Sequence, residues 1–313
     1  MHRNERHQKQ GDKLLKMPGK FDRGPVEFKS RQSGKEGEVM AVATREVVSV
    51  PPTTTILGAV EAMTTHGFRR LPVTDPGTQR LRGILTAGDI IDFMGGGTRF
   101  NLVQVKHRGN LIAALNESVR EIMTTQLVTL PPTASLTDAV DLIVGKKTGG
   151  LPIINEDTVL SGIVTERDIM RAFCAERSTL KVEDIMTTSL HVTTPETPIA
   201  IVTREMVSHR FRRLPVVRDE VLFGIVTSTD IMKYIGGGRV FDRMVTGDVS
   251  DVMNLPVRTL INGSLHTTTP EKSINEVARE MLSKKVGALP VIEDSRLVGL
   301  VTEFDCVRAF AQR

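Results

Sequence analysis

The chain has 313 residues, 40% of them hydrophobic, with two cysteines and no tryptophan. This length is enough for about two domains, each with a core of its own. The sequence shows neither an apolar run long enough to span a membrane nor the apolar stretch of a signal peptide, so we expect a cytoplasmic protein with no membrane partner. Cys174 and Cys306 lack a CxxC spacing, which argues against a disulfide framework or a cysteine metal site.

The positive charge is concentrated at the N-terminus. Residues 1–37 contain 10 Lys and Arg against 5 Asp and Glu, whereas the remaining residues contain 31 against 32. The N-terminal segment also lacks a periodic apolar pattern, so we expect a disordered basic tail. The body of the protein is close to neutral.

After the tail, a unit of about 60 residues recurs four times. Each copy begins with an aliphatic run that ends near a proline, and an amphipathic helix follows. A Leu-Pro-aliphatic segment, a turn, a second strand and a second helix complete the unit. We therefore predict strand, helix, strand, strand, helix in every copy. The prolines that end the runs are Pro51, Pro131, Pro195 and Pro270, and the N-cap signals of the first helices are Thr55, Ser135, Thr197 and Ser273.

A short motif marks the second strand of each unit. It reads glycine, two aliphatic residues, threonine, any two residues and aspartate. Four copies in one chain indicate an internal repeat. The copies occupy residues 83–89, 162–168, 224–230 and 299–305.

The repeats are related in pairs. Residues 68–72 of the first copy match residues 211–215 of the third, and both contain two adjacent arginines. The second and fourth copies have Gly149-Gly150 and Gly287-Ala288 at that place. A module of two repeats was therefore duplicated. The longer connector of the first module is expected to add a helix around Gly109–Asn116.

These residues together resemble cystathionine beta-synthase (CBS) domains, and the pairs resemble Bateman modules. The resemblance covers roughly residues 38–313 and extends to four-repeat chains such as stand-alone archaeal CBS proteins and the gamma subunit of AMP-activated protein kinase. It implies a mixed α/β (α+β) fold in which two Bateman modules form a flat disc. The expected segments are a tail over 1–37, repeats over 38–97, 118–176, 180–238 and 249–313, and connectors over 98–117 and 239–248.

The resemblance implies an adenosine ligand between paired repeats, and the motif chemistry fits one. An aspartate offers two acceptor oxygens to the 2′ and 3′ hydroxyls of a ribose. Thr-x-x-Asp before an apolar run is equally the signature of a helix capping box, so the two interpretations remain open. The ribose-binding candidates are Thr86 with Asp89, Thr165 with Asp168, Thr227 with Asp230, and Thr302 with Asp305.

The paired arginines are the candidates for binding phosphate, since a guanidinium matches phosphate oxygens. In the modules that this chain resembles, the phosphate contacts often come from the repeat opposite the ribose site. The resemblance therefore implies that Arg69 and Arg70 serve a ligand on Asp168, and Arg212 and Arg213 one on Asp305. His66 and His209 precede the arginine pairs by three residues and are weaker candidates. Glu166 and Glu303 beside the motif threonines would repel phosphate, which argues against four equivalent sites. The family places adenine near Ser49, Thr129, Val192 and Thr267, and Val192 departs from the hydroxyl pattern of the other three.

We predict a regulatory, non-enzymatic protein that senses AMP, ADP or ATP and acts on an effector protein, with a homodimer as a further expectation. No metal cluster, catalytic cofactor or set of catalytic residues is recognisable. Two alternatives remain open. In the first alternative, the ligand is S-adenosylmethionine instead of a nucleotide. In the second, the CBS body is a scaffold whose basic tail binds nucleic acid or an acidic partner. Scarce aromatic residues weigh against binding of single-stranded nucleic acid.

Overall fold

The computed structural model describes residues 36–175, 178–219, 221–261 and 265–311. The predicted disordered tail over 1–37 therefore lies outside the described residues, apart from its last two positions. Glu36–Arg313 form one unit by their contacts.

The predicted mixed α/β fold of four repeats is confirmed. The first repeat and its connector contain α1 (Val39–Val42), α2 (Ile56–His66), β1 (Arg70–Thr74), β2 (Leu81–Thr86), α3 (Ala87–Ile91) and the predicted connector helix α4 (Leu111–Leu115). The second repeat contains α5 (Leu136–Lys146), β3 (Gly150–Ile154), β4 (Leu160–Thr165) and α6 (Glu166–Phe173).

The second half of the chain has the same order. The third repeat contains α7 (Val182–Ile185), α8 (Ile199–Ser208), β5 (Arg213–Arg218), β6 (Val221–Thr227) and α9 (Ser228–Gly236). The fourth contains α10 (Ser250–Met253), α11 (Ile274–Lys284), β7 (Ala288–Glu293), β8 (Arg296–Thr302) and α12 (Glu303–Ala311). Short 3₁₀ turns occupy Thr98–Phe100, Val119–Glu121, Phe241–Arg243 and Val257–Leu260, and π turns occupy Asp92–Gly96 and Leu102–Lys106.

Each repeat contributes one antiparallel hairpin, in which the motif glycine faces an aliphatic residue. Val291 pairs with Gly299 in the fourth repeat, and a bulge follows. A Cβ atom on Gly299 would lie 2.5 Å from Met186 Sδ, so only glycine lets the first residues of the third repeat approach this strand. The equivalent pairs are Val73 with Gly83, Ile153 with Gly162, and Val216 with Gly224.

The two repeats of a module exchange short segments. Thr44, near the start of the first repeat, bridges Ile163 of the second, with hydrogen bonds of 2.9 and 3.0 Å in the two directions. Thr187 bridges Leu300 of the fourth repeat in the same way, with two hydrogen bonds of 2.9 Å. The expected pairing of repeats into modules therefore rests on main-chain hydrogen bonds.

Two hydrophobic cores join the modules. One combines buried side chains of the first and third repeats, including Met63, Ile90 and Ile235. The other combines the second and fourth repeats, including Ile143 and Met281. Each amphipathic helix thus buries its apolar face against a helix of the other module, which a lone module would leave exposed.

Two local predictions are wrong. The first strand of each unit is only a single parallel bridge, such as Val50 with Val73, because the following proline has no N–H to extend the ladder. In addition, Thr197 does not cap α8: Pro198 occupies the N-cap, and the Thr197 hydroxyl lies 2.9 Å from that of Thr194. Among the described residues, no helix is both long and apolar enough to cross a bilayer.

Candidate functional site

All four Thr-x-x-Asp motifs form capping boxes at the start of a helix. In each, the aspartate Oδ2 accepts hydrogen bonds from the backbone N–H and the hydroxyl of the threonine. The eight donor–acceptor distances lie between 2.6 and 3.0 Å. The cap therefore uses one carboxylate oxygen, and the environment of Oδ1 decides whether the motif can also bind a ligand.

Asp168 and Asp305 each have only one weak protein contact to Oδ1. The contact to Asp168 Oδ1 is a long one of 3.4 Å from Arg171, and Arg308 approaches Asp305 Oδ1 at the same distance. Both arginine side chains are exposed, at 63% and 45%. A ligand hydroxyl can displace such a contact at little cost.

Asp89 differs because protein groups engage both of its oxygens. Arg99 Nη2 lies 2.8 Å from Asp89 Oδ1, and the Thr124 hydroxyl donates to the same atom at 3.2 Å. Arg99 is itself fixed by Asp92 at 2.9 Å and by the Ile122 carbonyl at 2.6 Å. Both carboxylate oxygens of Asp89 are therefore engaged by protein groups.

Burial raises the pKa of three of the motif aspartates. For Asp305, loss of water around the carboxylate outweighs the stabilisation by Thr302 and Arg308. The same cause raises the pKa of Asp230, opposed by Thr227 and by the charges of Lys233 and Arg239. Burial also raises the pKa of Asp89, although the positive charge of Arg99 opposes this shift.

A cavity of about 540 Å³ opens above Asp305. One wall is the segment Thr187–His191, of which Thr187, Ser189, Leu190 and His191 line the cavity, and another is His209–Pro215. The fourth repeat supplies Leu300, Thr302, Phe304, Asp305 and Arg308, and the second repeat supplies Lys146, Lys147 and Glu166. The structure thus brings Thr302 and Asp305 together with Arg212 and Arg213, as the resemblance implies. His209, the weaker candidate, lines the same cavity.

The paired arginines lie between the modules and are partly neutralised by glutamates. Arg212 Nη1 donates to Glu166 Oε2 at 3.0 Å, although these residues belong to different modules. Arg213 donates to the Gly287 carbonyl at 2.8 Å. Burial and the neighbouring Arg69 lower the pKa of Arg213 to about 10. Glu166, which we expected only to repel phosphate, is thus a partner of the arginine that would bind it.

The first module repeats this arrangement with one difference. Arg69 forms an ion pair with Glu303, and Arg167 donates to the other oxygen of Glu303 at 2.7 Å. Burial opposes the charge of Glu303, but these arginines hold its pKa below the ordinary value. Phe304 replaces Arg167 at the equivalent position of the second module, where it lines the cavity.

Arg70 is the least compensated cation of this cluster. Its guanidinium has no ion pair or hydrogen bond among the residues that the structure describes. Burial and the charge of Arg212 lower its pKa to about 9. Five arginines with two glutamates leave an excess of positive charge here, which favours an anionic ligand.

The sequence and fold match known proteins over most of the chain. The CBS domain family model matches residues 38–96, 119–175, 182–237 and 249–312. The chain belongs to the CBS domain family. CBS domains are generally regulatory rather than catalytic modules.

Three similar proteins illustrate the range of similarity. Protein MJ1225 of Methanocaldococcus jannaschii is 39% identical over 276 residues, which cover 87% of this chain and 99% of that protein. Its crystal structure, described as that of a candidate archaeal homologue of g-AMPK, matches with a TM-score of 0.83 at 38% identity over the same shares of the two chains. A 33.4 kDa protein of Thermofilum pendens is 28% identical over 82% of this chain and 85% of its own length. A conserved protein of Pyrococcus horikoshii shares the fold, with a TM-score of 0.54 at 20% identity over 87% of this chain and 99% of its own.

The four positions that we expected to lie near adenine have different environments. Ser49 Oγ lies 2.8 Å from the Thr74 hydroxyl, and Thr129 and Thr267 are half-buried. Val192 is 52% exposed and is not among the residues that line the cavity. The residues before it, Thr187–His191, form the cavity wall instead. The bridge between Thr187 and Leu300 determines this placement. The repeat pattern in the sequence does not predict that bridge.

Proposed function

We propose that this CBS protein is a sensor of adenosine nucleotides, namely AMP, ADP or ATP, and that the cavity above Asp305 is its principal ligand site. The main support is that Asp305, whose Oδ1 has only one weak protein contact, and two arginines line one cavity. A volume of about 540 Å³ lies within the range of roughly 300–1,000 Å³ that is usual for small-molecule sites.

Each part of a nucleotide has a suitable partner in this cavity. Asp305 Oδ1 accepts hydrogen bonds from the ribose hydroxyls while Oδ2 continues to cap α12. Arg212 and Arg213 bind the phosphates, and Thr187–His191 contact the base through main-chain groups and side chains. Lys146 and Lys147 of the second repeat also line this cavity and add positive charge at the phosphate end.

The four motifs are not equivalent as ligand sites. Asp168 Oδ1 has the same single weak contact as Asp305 Oδ1, so we propose Asp168 as the second site, with Arg70 as its phosphate partner. Asp89 does not bind ribose, because Arg99 and Thr124 engage its free oxygen. For Asp230 we propose no ligand, because the fourth repeat, which would supply the phosphate partners, has Gly287-Ala288 in place of an arginine pair.

Differential scanning fluorimetry of the purified full-length chain tests the ligand class. The panel is AMP, ADP, ATP, S-adenosylmethionine, adenosine and GTP at equal concentrations. A ligand present at one hundred times its Kd stabilises the native state by about 2.7 kcal/mol, which gives a clear rise in Tm. We expect adenosine nucleotides to raise the Tm more than S-adenosylmethionine does, because the site carries excess positive charge. No rise with any adenosine compound would overturn the proposal.

A further inference from the structure

Three potential metal ligands meet at the rim of the cavity above Asp305. One ligand atom each of His191, Glu205 and His209 lies within 4.8 Å of the other two. Glu205 is in the last turn of α8, and His209 directly follows that helix, so the two side chains are one turn apart. His191 comes from the neighbouring segment that bridges onto β5 at Thr193.

The geometry of this cluster is close to that of a metal site. His209 Nε2 lies 3.3 Å from Glu205 Oε2. Two ligands that bind one tetrahedral ion at about 2.0–2.2 Å are separated by roughly 3.3–3.6 Å. The pair therefore already has the spacing of two ligands on one ion. All three side chains are exposed, so a rotation of His191 can bring its ring nitrogen into range.

Ring packing accounts for only part of this arrangement. The rings of His191 and His209 have centroids 4.4 Å apart, and both lie against Phe211. Such stacking explains the proximity of the two imidazoles, but it does not account for the Glu205 carboxylate, which lies 3.3 Å from His209 Nε2 and within 4.8 Å of a His191 nitrogen. Imidazole and carboxylate together are typical ligands of Zn²⁺ and similar ions.

The first module provides an internal comparison. The bridges of Val50 with Val73 and of Thr193 with Val216 align the two modules. On that alignment, the positions of His191, Glu205 and His209 are occupied by Val48, Ala62 and His66 in the first module. Only one of the three ligands is present there. The cluster is therefore a feature of the second module and not a by-product of the repeat.

We propose that His191, Glu205 and His209 bind a divalent transition-metal ion of the Zn²⁺ class. Three protein ligands leave a coordination position for water or for an oxygen of a ligand in the cavity, which His191 and His209 line. The ion adds positive charge beside Arg212 and Arg213. We therefore also infer that metal and anionic nucleotide strengthen each other's binding, a step that rests on the proposed function.

Titration of the full-length chain with Co²⁺, followed by its visible absorption and by competition with Zn²⁺, tests the metal site without any nucleotide. The test variant is H191V/E205A, which installs the residues of the first module. The matched control is His66→Ala. Both are made in a background in which His2 and His7 are replaced by alanine, which removes the histidines of the N-terminal segment.

We expect the background protein and the His66→Ala control to bind one Co²⁺ with intense tetrahedral bands. Loss of a group that merely supports a metal ligand costs about 10–100-fold in affinity, so loss of two ligands should cost at least about a hundredfold. Equal affinity and spectra in the test variant would overturn the site. A His209→Ala variant, with the Tm recorded, separates ligand loss from misfolding.

The second step is tested by the Kd of ADP with and without Zn²⁺. We expect a severalfold lower Kd with Zn²⁺ in the background protein and no change in H191V/E205A. An unchanged Kd in both would overturn the link to nucleotide while the Co²⁺ result stands. Absence of ADP binding together with normal Co²⁺ binding would instead contradict the proposed function.

Discussion

Arg212 of the third repeat donates a hydrogen bond of 3.0 Å to Glu166 of the second, so a carboxylate of one module holds the arginine that faces the ligand cavity of the other. Glu166 is 1% exposed, and Arg212 lies on the cavity wall. A phosphate that binds Arg212 therefore competes with Glu166. Ligand binding in the second module would then weaken a contact between the modules, which is a physical route from binding to regulation.

Replacement of Glu166 by glutamine tests this competition. The variant removes the negative charge that neutralises Arg212, so we expect the Kd of ADP to fall about tenfold, equivalent to about 1.4 kcal/mol. The Kd of adenosine, which has no phosphate, should stay unchanged. Isothermal titration calorimetry measures both.

The matched control for Glu166→Gln is Glu303→Gln. This change frees Arg69 and Arg167 in the first module and leaves Arg212 paired. It should strengthen ADP binding at the site of Asp305 less than Glu166→Gln does, because Glu303 acts on that site only through the charge of Arg213. Both variants should lose stability on the order of 1–3 kcal/mol, because a partly buried arginine loses its partner. Tighter adenosine binding in Glu166→Gln would show that the effect does not involve phosphate.

The raised pKa of Asp305 predicts a pH dependence of ligand binding. Ribose hydroxyls hydrogen-bond to the ionised carboxylate, so binding weakens as the pH falls through the pKa of Asp305 in the free protein. Because burial raises that pKa above 3.8, the loss should begin at a higher pH than for an ordinary aspartate. The Kd of adenosine against pH measures this without titrating phosphates. In Asp305→Asn this dependence should disappear.

The raised pKa of Asp305 also predicts how the stability of the fold changes with pH. A carboxyl group with a raised pKa in the native state contributes stability when protonated, and this contribution is lost as the pH rises through the native pKa. Chemical denaturation of wild type and Asp305→Asn across the acid range compares the two. The wild type should lose stability relative to the variant as the pH rises above about 4. A change in the opposite direction would contradict the assignment of burial as the dominant cause.

Gly149 determines how closely Arg70 approaches the second repeat. A Cβ atom at this position would lie 1.6 Å from Arg70 Nη2 and 2.7 Å from Arg212 Nη1. Gly149→Ala should therefore displace the arginines and destabilise the protein by about 1–3 kcal/mol. Urea denaturation gives the free energy of unfolding.

The control for Gly149→Ala is Gly145→Ala in α5, where a Cβ atom meets nothing within 4 Å. This change should stabilise the helix by up to about 1 kcal/mol. If both alanine variants were equally stable, Gly149 would not be needed for the approach of the arginines.

Sequence reasoning identified the repeats, their pairing and the hairpins because these features depend on local patterns. It left the choice between cap and ligand site open, since both use the same threonine and aspartate. Arg99 follows the π turn at Asp92–Gly96 and forms an ion pair with Asp89 Oδ1. The spacing of these residues in the sequence does not predict that contact. The association of the first repeat with the third and of the second with the fourth was likewise not predictable, because all their helices present similar apolar faces.

The sequence also did not predict that the two glutamates form ion pairs with the arginines. Glu166 and Glu303 stand beside the motif threonines, where their charge suggested repulsion of phosphate. Their partners Arg212 and Arg69 are 46 and 234 residues away in the chain. Only the packing of the two modules brings these charges together.

The measurement that tests the ligand site most directly is calorimetric titration of ADP into wild type, Asp305→Asn and Asp89→Asn. Asparagine retains a carbonyl oxygen for the cap but loses the charge that receives the ribose hydroxyls. We predict that the affinity of the site of Asp305 falls about 10–100-fold in Asp305→Asn and is unchanged in Asp89→Asn, whose carboxylate is engaged by Arg99. Equal ADP affinity in all three proteins would contradict the assignment of this cavity as the nucleotide site.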